Sequence, residues 1–214
     1  MKAGLNCHLL RFFLIMMSVV YFPHIVQGQE FPFDYWHEGK AVLESGDTIR
    51  GKIKYDPQND IIQVETGKRF ESYTSRKVLF YEIFDARLNN YRQFVALPYS
   101  ASGGYKTPVF FELLSEGKIT LLSREYLEYR TTNSGFYYYG GVSRLVLVYK
   151  YFLLTEKGDV IPVNSKKADF LDLMDDHADE VRKYIKSNRL NLERKSDIGR
   201  AIAYYNQLVK KYGK

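Results

Sequence analysis

The stretch Gly39–Val64, GKAVLESGDTIRGKIKYDPQNDIIQV, constrains the fold of this chain most. Thr48, Arg50, Lys52 and Lys54 alternate with Ile49, Gly51, Ile53 and Tyr55. A period of two places one set on each face of a strand, so this strand is half-buried. Ser45-Gly46-Asp47 before it supplies a residue free to take positive φ. Asp56-Pro57-Gln58-Asn59-Asp60 after it supplies a locked φ beside side chains that bond their own backbone. Val42 and Leu43 precede the first turn, and Ile61, Ile62 and Val64 follow the second. The pattern predicts a three-stranded antiparallel meander on which later strands build.

Further strands are expected at Arg69–Tyr73, Val78–Phe84, Tyr91–Leu97, Val109–Leu114, Lys118–Arg124, Leu145–Thr155 and Val160–Val163. Pro98–Pro108 and Glu125–Gly141 read as irregular connections, and Pro162 suits an edge strand because proline cannot donate to a ladder. At Ser165 the period changes. Phe170, Leu173, Met174, Ala178, Val181, Tyr184 and Ile185 follow helical spacing with a break near Met174. A last helix is expected from a Ser196 cap, with Ile198, Ala201, Ile202, Tyr205, Leu208, Val209 and Tyr212 as its apolar stripe. Strands first and helices last mean α+β: a partly open, barrel-like antiparallel sheet of about ten strands, then two to three helices packed on one face or end. The β portion (29–165) and the helical tail (166–214) share one domain, because short helices do not bury their stripes alone.

Residues 1–28 read as a secretory signal peptide. Lys2 and Arg11 make a positive start, Phe12–Phe22 is apolar but shorter than a bilayer span, and Val26-Gln27-Gly28 suits cleavage before Gln29. The expected destination is periplasmic or extracellular, with no membrane span after cleavage. Cys7, the single cysteine, leaves with the leader, so the mature chain is stabilised by its core without disulfides. Lys2 and Arg11 also leave, so 29 of the 31 basic residues remain against 25 acidic ones. That mild excess does not argue for nucleic acid.

Two sets of residues resemble known families. Val42, Leu43, Gly46, Gly51, Ile53, Asp56 and Asn59 resemble the first motif of Sm-like RNA-binding barrels. The likeness implies a strongly bent sheet; the second, RNA-contacting motif has no counterpart, and RNA binding is not implied. Gly39-x-x-Val42-Leu43, Gly46-Asp47, Gly51, Thr107-Pro108-Val109-Phe110-Phe111-Glu112, the Gly117 turn and Tyr204-Tyr205-Asn206 are similar to small secreted proteins of unknown function from Bacteroidetes-type bacteria. That likeness implies an exported protein and brings no catalytic residues.

The chemistry is sparse. His37 and His177 are the histidines of the mature chain, no Gly-x-Ser-x-Gly elbow occurs, and no phosphate-cradling glycine loop or dinucleotide fingerprint is present. Asp172–Glu180 gathers carboxylates around His177, but consecutive helical residues point in several directions, so no metal and no cofactor are assigned. Glu112 and Glu82, each in an apolar strand, are the acid/base candidates. Burial would raise their pKa, whereas outward placement or an arginine partner such as Arg92 or Arg124 would leave them structural. The ligand-binding candidates are aromatic: Tyr105 and the run Tyr137, Tyr138, Tyr139, set between Gly135 and Gly140-Gly141 and suited to a glycan or peptide. Arg182–Lys214 carries ten basic residues, so the carboxy-terminal helices would contact an anionic surface weakly. The reading is an exported, non-enzymatic binding or envelope-associated protein. Its alternative is a small carboxylate-dependent hydrolase acting on glycans.

Overall fold

The computed structural model describes residues 29–67, 69–101, 103–132, 142–163, 167–174 and 177–212. The expected meander is β1 (His37–Leu43), β2 (Thr48–Asp56) and β3 (Ile61–Thr66). Its turns use the foreseen chemistry: Gly46 sits at φ 91°, and the Asp56 carboxylate accepts the N–H groups of Gln58 and Asn59 at 2.9 and 3.0 Å. Gly39 and Gly51 lie opposite each other in the β1–β2 ladder. A Cβ on either would fall within 2.3 Å of a neighbouring carbonyl oxygen, so the strands cross closely there.

β4 (Arg69–Thr74), β5 (Val78–Asp85), β6 (Asn90–Tyr99), β7 (Thr107–Ser115), β8 (Thr120–Thr132), β9 (Val142–Leu154) and β10 (Val160–Val163) complete one open antiparallel sheet. The order is β10-β9-β8-β7-β6-β5-β1-β2-β3-β4. Helices α1 (Lys167–Asp172), α2 (Ala178–Ser187) and α3 (Lys195–Tyr212) follow, giving the expected α+β class. Phe31–Lys214 forms one unit.

Two close approaches show that the sheet curls twice. In a flat sheet β4 and β5 would stand roughly 19 Å apart, four spacings of about 4.8 Å. Yet a tight turn joins them, closed by the Lys77 N–H on the Thr74 carbonyl at 2.9 Å. The strands β5-β1-β2-β3-β4 therefore wrap around a core of Ala41, Ile53, Tyr55, Ile62, Tyr81 and Phe94. At the other end β10 touches β6, four strands away. That curl bends toward the opposite face, around Phe111, Leu122 and Phe152. The helices cover its outer face, where Leu121 and Tyr151 meet Phe170, Met174, Val181 and Ile202.

The curls also explain where β7 and β8 part. β8 pairs with β7 only as far as Ser123 opposite Glu112. Beyond that, the first curl supplies side chains in place of a strand. The Asp60 carboxylate accepts the Phe110 N–H at 2.8 Å, Arg124 donates to the Phe110 carbonyl at 3.1 Å, and Ser75 donates to the Pro108 carbonyl at 2.6 Å. Asp60 holds this place at φ 53°, in the left-handed region that aspartate tolerates.

Several expectations are corrected. The irregular region at Glu125–Gly141 begins later, because β8 runs on to Thr132 and β9 starts at Val142. Pro98 and Pro108 face each other inside the β6–β7 ladder instead of bounding a loop. α3 starts at Lys195, so Ser196 lies within it. Ile198, Ala201, Ile202 and Tyr205 form its buried stripe, but Tyr212 at its end is exposed. Asp175 and Asp176, within the Asp172–Glu180 carboxylate run, lie outside the described residues.

Candidate functional site

Arg92 on β6 is 4% exposed, so its charge must be answered inside the protein. Strand parity places Arg92, Phe94, Glu112 and Glu125 on the face shared by the first curl and the helices. All five guanidinium donors are used. Nε and Nη2 reach the two Glu112 oxygens at 2.9 and 2.8 Å, a bidentate pair. Nη2 also bonds Glu125 at 2.5 Å, and Nη1 bonds the Tyr55 hydroxyl at 2.9 Å and Asp85 at 3.4 Å. Tyr55 in turn donates to Glu125 at 2.9 Å. The guanidinium lies 5.0 Å from the centre of the Phe94 ring.

α3 adds the second cation. Lys195, its first residue, reaches Glu112 at 2.6 Å and Glu125 at 3.8 Å, and stands 4.6 Å from the Tyr149 ring centre. A lysine at a helix N-terminus opposes the dipole, and the two carboxylates compensate it. Burial pushes the Glu112 carboxyl upward, but Arg92 and then Lys195 outweigh it and hold the carboxyl at about 2. Burial raises the Tyr55 hydroxyl well above its ordinary value. The adjoining cavity, lined by Tyr55, Glu112, Ser123, Arg124 and Glu125, has a volume of about 10 Å³. That is room for about one water molecule and none for a substrate.

Of the acid/base candidates, Glu112 takes the arginine-paired alternative: its pKa is depressed where the catalytic reading needs it raised. Glu82 lies elsewhere, at the surface, in a 3.3 Å ion pair with Lys40. Glu82 and Glu112 project from opposite faces of the sheet, since Glu112 aligns with Phe94 and Tyr81 while Glu82 aligns with Gln93. Of the aromatic candidates, Tyr105 stands 85% exposed in the β6–β7 loop. Tyr137, Tyr138 and Tyr139 lie outside the described residues.

The sequence reading missed Tyr55, Asp85 and Glu125 as partners of Arg92, and Lys195 as the second cation on Glu112. Each sits in a segment whose local pattern explains it otherwise. It also missed Asn206 on α3, which closes the β7–β8 hairpin. Asn206 accepts the Ile119 N–H at 2.9 Å and donates to the Ile119 carbonyl at 2.8 Å and Ser115 at 3.1 Å.

No protein family, curated protein or solved structure matches this chain.

Proposed function

We propose that this chain is an exported, non-enzymatic binding or envelope-associated protein. The observation that carries the reading is the saturation of Arg92. Its five donors are spent on protein acceptors, and Glu112, the leading acid/base candidate, is held at about 2 by two cations. A general acid or base works best with a pKa near the operating pH and needs hydrogen-bond reach to a substrate. Glu112 meets neither requirement, so the constellation serves the fold, and recognition falls to exposed groups. Export is argued from the leader sequence Met1–Gly28. The ligand class that suits exposed tyrosines is a glycan or peptide.

Carboxylate titration by NMR tests the central claim. Glu112 is expected to titrate near 2, and a midpoint near neutrality would revive the hydrolase. Mass spectrometry of exported material is expected to find Gln29 at the amino terminus. A glycan and peptide array is expected to show binding that Tyr138→Ala weakens while the melting temperature stays the same.

A further inference from the structure

Beyond Ser123, β8 pairs only with β9, which leaves a two-stranded ribbon about 25–30 Å long. Two cationic pairs sit directly across its ladder on one face: Arg124 opposite Lys150 at the root, and Arg130 opposite Arg144 toward the tip. Like charges in direct opposition destabilise a hairpin. The protein answers the root pair itself. Arg124 is held by Asp60 at 2.9 Å and Lys150 by Glu128 at 3.6 Å, and Lys150 lies 4.5 Å from the Tyr126 ring centre. Arg130 and Arg144 are both exposed and have no acidic partner among the described residues. The connecting segment 133–141, NSGFYYYGG, contains no Asp or Glu that could serve.

On the other face the middle of the ribbon, between Glu125 at the root and the Thr131–Ser143 pair toward the tip, is apolar. Leu127 pairs with Leu147, and Tyr129 with Leu145. The three leucines are only half-buried, Tyr129 is 78% exposed, and none of the four packs on any of the three cores. An isolated two-stranded hairpin is marginal in water without something covering a face.

We propose that this ribbon docks on an anionic phospholipid surface. The apolar face of Leu127, Tyr129, Leu145 and Leu147 enters the headgroup–acyl boundary, and Arg130 and Arg144 meet lipid phosphates from the opposite face. One element that joins unpacked apolar side chains to unanswered arginines is what interfacial binding requires, although the arginine face also carries Glu128, Val146 and Val148. An acidic glycan would answer the arginines and make no use of the half-buried leucines or the exposed Tyr129. The basic helices offer charge alone: the apolar stripe of α2, Val181 and Ile185, is already spent on the core. The proposal goes beyond the binding function above and stands without it.

The test is co-sedimentation of the full chain with phosphatidylglycerol–phosphatidylcholine vesicles and with pure phosphatidylcholine vesicles. Any contribution of the leader is common to all variants compared. The expected result is a preference for the anionic vesicles that declines with salt. Arg130→Gln with Arg144→Gln is expected to weaken binding to them by about thirtyfold, the equivalent of roughly 1 kcal/mol for each arginine. The same double variant should melt at an unchanged or slightly higher temperature, because a like-charge pair has been relieved. A lower melting temperature would assign the pair a structural role and overturn the proposal. So would an undiminished anionic preference, or its loss in Lys183→Gln with Lys186→Gln. Binding to a soluble carboxylated polysaccharide with none to vesicles would overturn the lipid assignment.

Discussion

Arg92 and the Arg130–Arg144 pair are both cationic features of one sheet, and their surroundings are opposite. Arg92 is buried and every donor is answered, by residues from β2, β5, β7 and β8, while Lys195 of α3 answers the same carboxylates. Arg130 and Arg144 are exposed, oppose each other, and have no acidic partner among the described residues. The difference follows from solvation. A charge inside the protein must find partners or forfeit several kcal/mol, so a buried arginine organises the fold around itself. Water screens a surface charge, so the fold tolerates one that repels its neighbour. A satisfied cation reports on stability, and an unsatisfied exposed pair reports on a partner.

The largest effect is expected from removing the buried arginine. Arg92→Leu leaves Glu112, Glu125 and Asp85 without their shared partner, and breaking a buried pair costs about 3–5 kcal/mol. The melting temperature is expected to fall by roughly 10 °C in a thermal scan. A small drop would mean that the carboxylates take protons or reach water when the guanidinium is gone.

Acid should act on the same centre. Glu112 ionises at about 2 when folded, against an ordinary 4.5. A depressed carboxyl contributes its full stability above the unfolded value and loses it as pH falls toward the folded one. The loss is therefore confined to the window from about 4.5 down to about 2, and amounts to about 3 kcal/mol. Urea unfolding across that window measures it. Glu112→Gln should flatten the slope there, and no flattening would transfer the acid sensitivity to other carboxylates.

A smaller effect is expected where α3 meets the β7–β8 hairpin. Asn206→Ala strands the N–H and carbonyl of Ile119 at a partly buried site, a cost of about 1–3 kcal/mol read by thermal melting. The smallest effect belongs to the ribbon. Relieving the Arg130–Arg144 opposition should change stability by no more than about 0.2–1 kcal/mol, and upward. A fall would erase the contrast with Arg92.

The legible and illegible parts of the chain divide along physical lines. The meander was readable because Thr48–Tyr55 alternates cleanly and its turns carry Gly46 and Asp56, both local signals. The ribbon was not. In Glu125–Thr132, EYLEYRTT, one face carries Glu125, Leu127 and Tyr129 and the other Tyr126, Glu128 and Arg130, so both faces mix polar with apolar and the period of two disappears. Glu112 was visible as a carboxylate among apolar neighbours, but its sign of shift was not, because a pKa depends on what stands opposite.

By itself the sequence determined the element types: a strand-rich body, its first turns, an edge proline and a helical tail with an apolar stripe. Each is set within a few residues by backbone sterics and side-chain period. Tertiary structure alone decided the two opposed curls, the split between β7 and β8, and the ionic centre. Three of the four partners of Arg92 lie 20, 33 and 37 residues away along the chain, and Lys195 lies 83 residues from Glu112. Contacts at such separations exist only after the chain has closed, so their chemistry is a property of the folded protein and of no single segment.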